Sequence, residues 1–207
     1  MLFSQPILLL LAAYCGFVAA NPLDRRAAPT ATLDTATVTG VASGSVNEWL
    51  GIPFALPPTG NRRFRLPQLI PSYHTSFSAT AYGPSCPQQA TTSYIPPGLP
   101  AETLDYLALI TVSNVTGSED CLTVNVVAPA DATPESNLPV VIWIFGGGFE
   151  SGSTSSYDGS VIVNKSIALN VPAVYVSINY RLTAFGFLAS EEVKQARVGN
   201  LGLQDRE

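Results

Sequence analysis

Val140-Val141-Ile142-Trp143-Ile144-Phe145-Gly146-Gly147-Gly148-Phe149-Glu150-Ser151-Gly152 is the stretch on which the reading of this sequence turns. Residues 140–145 are apolar without a break, too few for a typical helix, and rich in β-branched side chains. Such a run suits a strand covered on both faces, as in a parallel sheet. Three consecutive glycines follow it. Glycine tolerates positive φ, so the chain can turn there and aim N–H groups, unshielded by side chains, at one point. Val171 to Tyr180 (VPAVYVSINY) has the same character as the first strand, and Tyr157 to Leu169 between them includes a short helical stretch. Strand, crossover and strand predict an α/β protein.

Upstream, Leu122 to Val127 (LTVNVV) alternates and predicts a further strand. From Thr37 to Phe54, small and apolar residues punctuated by Gly40, Gly44 and Gly51 predict an antiparallel hairpin with its turn near Ser43-Gly44. Pro53, Pro57, Pro58 and Gly60 impose an irregular segment, and residues 65–100 stay proline-rich and loop-like. Ala101 to Ile110 (AETLDYLALI) contains good helix formers and neither Gly nor Pro. Glu102 and Asp105 fall on one face, with Leu104, Leu107 and Ala108 on another, which predicts an amphipathic helix of about three turns.

Composition narrows the function. Of the 207 residues, 46% are hydrophobic and 12% charged, with Lys+Arg 10 against Asp+Glu 15 and a net charge of −5. A nucleic-acid binder would carry a positive face, and no basic stretch exceeds Arg62-Arg63-Phe64-Arg65. Residues 1–20 read as a signal peptide, with the apolar run Ile7 to Ala13 and small residues Val18-Ala19-Ala20 before the cut. That run is shorter than the ~20 apolar residues of a transmembrane span. The expected product is residues 21–207, secreted and extracellular. Cys15 leaves with the signal, so the exported chain keeps Cys86 and Cys121. In an oxidising compartment the pair favours a disulfide closing a loop of roughly 35 residues, worth on the order of 3–4 kcal/mol; two free buried thiols are the alternative. Asn114-Val115-Thr116 and Asn164-Lys165-Ser166 are sequons, so Asn114 and Asn164 are candidate glycosylation sites.

The glycine loop admits several chemistries. A dinucleotide fingerprint starting at Gly146 meets Ser151 where its last glycine belongs, and one starting at Gly147 meets Phe149 where its second belongs. Gly147 and Gly152 have P-loop spacing, yet Ser153 stands where lysine must be. An oxyanion hole needs only adjacent amides aimed at one developing negative charge. A tight turn with no chemical task needs nothing more. The triplet alone leaves the last two open.

Several blocks together carry a resemblance. Gly51-Ile52-Pro53-Phe54-Ala55 with Pro57-Pro58, then Asn61 to Pro67 (NRRFRLP), precede Ser118-Glu119-Asp120-Cys121-Leu122-Thr123-Val124-Asn125-Val126 and the glycine loop. Asn179-Tyr180-Arg181-Leu182, Phe185-Gly186-Phe187-Leu188 and Gly199-Asn200-Leu201-Gly202-Leu203-Gln204-Asp205 follow. In this order they resemble the type-B carboxylesterase/lipase family, with its cholinesterases and fungal extracellular lipases. The resemblance implies the N-terminal part of an α/β-hydrolase fold, a small antiparallel hairpin plus the first strands of a central mixed sheet. It implies that Gly147 and Gly148 are oxyanion donors, that Cys86 and Cys121 form the family's first disulfide, and that Arg63 and Glu119 are a buried ion pair. It implies an ester or lipid substrate and neither metal nor organic cofactor. In the fungal lipases the first disulfide loop is a lid, so the Ala101–Ile110 segment is expected to meet a lipid interface. No Trp lies between Cys86 and Cys121, and Phe145 stands where cholinesterases carry Tyr; both features resemble the fungal lipases.

One departure bears on activity. No Gly-x-Ser-x-Gly occurs in the 207 residues, and the only histidine, His74, precedes everything a catalytic histidine of this fold should follow. The expectation is a chain truncated before the nucleophile and inert by itself. A non-catalytic relative serving as a binding or adhesion module is the alternative function.

Overall fold

The computed structural model describes residues 26–89, 98–100, 102–103 and 117–206. The segment 1–20 and Asn114 lie outside them, as does the Ala101–Ile110 helix apart from Glu102 and Thr103. Among the described residues no helix is long and apolar enough to cross a membrane.

Two sheets form. The smaller contains β1 (Thr30–Leu33), β2 (Ala36–Thr39) and β5 (Phe77–Ser78), with β1 antiparallel and β5 parallel to β2. The larger contains β3 (Val41–Ser43), β4 (Val46–Pro53), β6 (Thr123–Pro129), β7 (Val140–Trp143) and β8 (Val174–Ile178), in the order β3-β4-β6-β8-β7. Only β7 and β8 run parallel; the other neighbours are antiparallel, so this sheet is mixed. A mixed sheet with a helical crossover between its parallel strands fits the expected N-terminal part of an α/β-hydrolase fold.

The hairpin expected over Thr37–Phe54 is present as β3 and β4, turning at Gly44, whose φ is +55°. The expectation needs one correction at its start. Thr37 to Thr39 pair in the small sheet instead, and a preceding strand, β1, completes a second hairpin. The change of sheet falls at Gly40, whose N–H reaches back to Pro29 O at 2.8 Å and ends the β2 pairing before Val41 opens β3.

The crossover between β7 and β8 is α1 (Gly159–Ala168), capped by Asp158, whose carboxylate accepts the Ser160 N–H at 2.9 Å. Helix α1 packs on β4, β6 and β8, and Val163 enters a core with Val46, Val127 and Tyr175. After β8 come three short helices, α2 (Thr183–Phe187), α3 (Glu191–Ala196) and α4 (Leu201–Gln204).

Residues 140–143 form the expected strand, β7, but the described residues do not cover both of its faces. Val140, Val141, Ile142 and Trp143 are 57%, 44%, 60% and 40% exposed. The reason is positional: among the described residues β7 is the sheet's edge, with β8 as its one ladder neighbour and α1 seated over the inner strands. An apolar run reports what the side chains are, not which of their faces this chain covers.

A polar network occupies the sheet's interior. Asn125 on β6 accepts the Gly51 N–H at 2.8 Å and donates to Thr154 Oγ1 at 3.0 Å and Ser177 Oγ at 3.1 Å. Asn179 Oδ1 accepts both the N–H and the hydroxyl of Thr154 at 3.1 Å, while its Nδ2 donates to Pro84 O at 3.2 Å.

Helix propensity and packing disagree at Gly159. A Cβ there would lie 2.2 Å from the ring of buried Tyr175. Gly159→Ala, which helix propensity favours, is therefore expected to destabilise by about 1–3 kcal/mol through overpacking. Urea unfolding followed by circular dichroism measures it; an unchanged or raised midpoint would refute the packing argument.

Candidate active site

Strand β7 delivers the chain to Phe145, which is buried against Tyr180 with ring centroids 4.5 Å apart. Tyr180 also donates its hydroxyl to Phe145 O at 2.5 Å. Burial pushes the Tyr180 phenol up, with the Arg206 cation, 4.6 Å from its ring, pulling the other way. The phenol thus stays protonated at neutral pH and remains a donor.

Beyond Phe145 the backbone enters a conformation that side chains resist. Gly147 has φ +144° and Gly148 φ +64°, and Phe149 follows at +64°. A Cβ on Gly147 would sit 1.8 Å from Ser151 O, so no other residue fits this turn. Gly147 O accepts the N–H groups of Glu150 and Ser151, both at 3.1 Å. Phe149 O accepts the Thr183 N–H at 2.8 Å, and its ring packs on Phe187 at 4.5 Å. The turn is thus held from the start of α2.

The amides of Gly146, Gly147 and Gly148 differ from those of Glu150 and Ser151, which donate to Gly147 O. Among the described residues none of them has a carbonyl partner, and all three glycines are exposed. Unpaired N–H groups on a rigidly held turn form an anion-accepting surface. What the turn can do chemically is receive a negative oxygen. Among the described residues, no three His, Cys, Asp or Glu gather as a metal site would require.

The other expected site residues fall as follows. Cys86 and Cys121 are bonded, with Cα atoms 5.0 Å apart, in a buried cluster with Ala55 and Leu122. His74 is exposed and shares hydrogen bonds with the hydroxyls of Ser72 (2.5 Å) and Thr35 (3.3 Å) at the turn of the first hairpin. Its bonds are to that turn and to Ser72 of its own loop, not to the glycine loop. Asn164 is exposed on α1, and its Oδ1 accepts from the Ser45 hydroxyl.

Residues 27–207 match the carboxylesterase family. The chain belongs to that family. It is 45% identical over 184 residues to lipase 5 of Diutina rugosa, covering 87% of this chain and 33% of that protein. It is 40% identical to a secreted triacylglycerol lipase of Gibberella zeae, covering 88% of this chain and 31% of that lipase. Among solved structures, a thermophilic PNB esterase matches with a TM-score of 0.69 at 37% identity, over 87% of this chain and 33% of that one. EstA of Aspergillus niger matches with a TM-score of 0.68 at 39% identity, over 87% and 31%. The chain thus spans about a third of the length of these relatives.

Within this carboxylesterase-family chain, the ion pair requires a correction. Arg63 and Glu119 do pair, with both guanidinium–carboxylate contacts at 2.5 Å, but their side chains are 43% and 23% exposed. Together with Pro58, Phe64, Pro87, Arg181 and Phe185 they line a small surface hollow, so their charged ends meet solvent. Arg63 holds the Glu119 carboxyl below its ordinary range. A folded-state value lowered in this way stabilises above the ordinary carboxylate range, and the contribution disappears as pH falls through the folded value.

The buried pair is Arg181–Asp205, 3% and 0% exposed, which sequence reasoning quoted within two motifs without assigning. Asp205 accepts Arg181 Nη2 at 2.6 Å, its Nε at 2.9 Å and its backbone N–H at 2.9 Å, while Arg181 Nη1 reaches Arg65 O at 2.8 Å. The available signal was its neighbourhood, since an arginine three residues after apolar β8 and an aspartate capping the apolar, glycine-containing α4 are poorly placed for solvent.

Asp205→Ala is expected to cost about 3–5 kcal/mol by stranding a buried guanidinium. Glu119→Ala should cost far less, because exposed charges are screened. Chemical denaturation of both variants decides the ranking; equal losses would contradict the burial argument.

Proposed function

We propose that this protein is a secreted carboxylic ester hydrolase, a lipase or long-chain carboxylesterase, in which Gly147 and Gly148 supply oxyanion donors to a serine-borne tetrahedral intermediate. The observation that carries it is the set of unpartnered glycine amides on a turn whose remaining hydrogen bonds are fixed. Carbonyl addition turns a neutral oxygen into an alkoxide. Donors already aimed at that oxygen stabilise it without reorganising at the moment of reaction. Apolar rings beside the turn, Phe149 half exposed and packed on Phe187, suit an acyl or alkoxy chain more than a charged ligand.

Membership of the carboxylesterase family and the lipases among its relatives support this reading. The relatives' length accommodates the serine, acid and histidine outside residues 1–207. A signal peptide over residues 1–20, glycans on Asn114 and Asn164, and a lipid-facing lid over Ala101–Ile110 belong to the same proposal. Helix α1 leaves Asn164 exposed, as a glycan needs. The relatives named as secreted lipases support export.

Two measurements test it. The 207-residue chain alone is expected to leave a chromogenic ester uncleaved, because it holds no Gly-x-Ser-x-Gly and His74 is committed to the first hairpin. Serine-dependent turnover by that chain would overturn the assignment of the nucleophile. In the full-length polypeptide, Gly148→Pro removes one donor and also turns the loop, because proline holds φ at about −65° where Gly148 has +64°; it is expected to cut kcat by at least roughly 10²–10³-fold. Gly148→Ala keeps the N–H and has open space for its Cβ, so it should retain most activity despite φ +64°. Equal turnover in both variants would remove the donor role.

A further inference from the structure

The glycine loop is held at both ends, and one hold comes from a side chain outside any strand or helix. Gln88 Oε1 accepts the Gly152 N–H at 2.9 Å, and its Nε2 donates to Gly152 O at 2.7 Å. One primary amide thus satisfies both backbone groups of one residue, as a neighbouring strand would. The N–H requires the amide oxygen and the carbonyl requires the nitrogen, so only one orientation of the amide serves. The adjoining Gln89 N–H donates to Glu150 O at 3.0 Å and extends the contact. Gln88 stands two residues after Cys86, whose disulfide to Cys121 is buried, so the amide is presented from a fixed base.

Gly152 in turn bears directly on the first limb of the loop. A Cβ there would fall 2.5 Å from the Phe145 ring and 2.9 Å from Gly146 O. Displacement of Gly152 is therefore transmitted by contact to the peptide preceding Gly147. Tyr180 fixes Phe145 at the other end, leaving Gly152 as the limb whose position depends on a side-chain amide.

We infer that Gln88 is a positioning residue for the oxyanion donors, its amide setting Gly152 and through it the aim of the Gly147 and Gly148 N–H groups. The inference rests on the donor reading given above. Glutamate at this position keeps the shape of glutamine but loses the donor to Gly152 O and sets a carboxylate oxygen against that carbonyl. Alanine removes both bonds. Because Gln88 acts through the loop, its loss weakens the transition state more than substrate binding.

The test uses the full-length polypeptide with Gln88→Glu, Gln88→Ala and Gly148→Pro, rates being expressed per active site titrated with a serine-reactive phosphonate. Both Gln88 variants are expected to lose about tenfold in kcat, as for one or two lost hydrogen bonds, with KM changed less than about twofold. Affinity for a trifluoromethyl ketone, which forms a tetrahedral adduct, should fall by the same factor. The Gln88→Glu rate relative to the unsubstituted enzyme should rise as pH falls toward the carboxylate range, where a protonated carboxyl can again donate. A role in folding alone would lower the titre of active sites and leave kcat per site and the ketone affinity unmoved; that result overturns the inference. If Gln88 variants keep kcat while Gly148→Pro loses it, Gln88 has no positioning role and the donor reading stands. If all three keep kcat, the donor reading itself fails. Should Gln88→Ala not be secreted, the near-isosteric Gln88→Glu carries the same comparison.

Discussion

Two buried carboxamides, Asn125 and Asn179, set the position of almost everything described above. Between them they accept from Gly51 and Thr154 and donate to Thr154, Ser177 and Pro84. A buried amide left unpaired costs about 1–3 kcal/mol, so such a network is favourable only when complete. Completion requires β4 to bulge at Gly51, β6 and β8 to be neighbours, and Thr154 to enter the interior. Thr154 lies two residues beyond Gly152, and the requirement therefore anchors the descending limb of the glycine loop to the sheet.

The loop itself shows what that anchoring permits. Positive φ at Gly147, Gly148 and Phe149 in succession is a conformation that a free chain would abandon. It persists because Tyr180, Thr183, Gln88 and Gln89 hold carbonyls and amides on either side of it. The bonds satisfy the flanking groups and leave the central N–H groups unspent. Rigidity and unsatisfied donors are together the condition for stabilising a charge that exists only transiently.

Much of this was legible in the sequence, and the limits have physical causes. The glycine triplet after an apolar run identified the turn, because only glycine accepts both a positive φ and the Ser151 carbonyl where a Cβ would be. Strands β6 and β8 were legible from their apolar character and the hairpin of β3 and β4 from its glycines. Strand β1 was not, since Thr30 to Leu33 is short and half polar and, among the described residues, pairs with β2 alone. Strand β7 was legible as an unbroken apolar run, while its cover depends on sheet order, which hydropathy does not report. The roles of Asn125 and Gln88 were hidden for another reason: an amide shows nothing in sequence of the backbone groups it will meet from 74 or 64 residues away.

The exchange of importance between the two ion pairs follows from the same geometry. Arg63 and Glu119 join two segments at the surface, where water screens their attraction and could replace each partner. Arg181 and Asp205 have no such substitute. Asp205 grips the backbone N–H of Arg181 as well as its guanidinium, and so fixes main chain rather than a side chain alone. The residue before Arg181 is Tyr180, which holds Phe145 O; two residues after it is Thr183, which holds Phe149 O. The buried pair therefore sits between the two contacts that fix the ascending limb of the glycine loop. Loosening Asp205 frees both at once, which is a physical reason for a charge pair to be kept in an interior where desolvation opposes it.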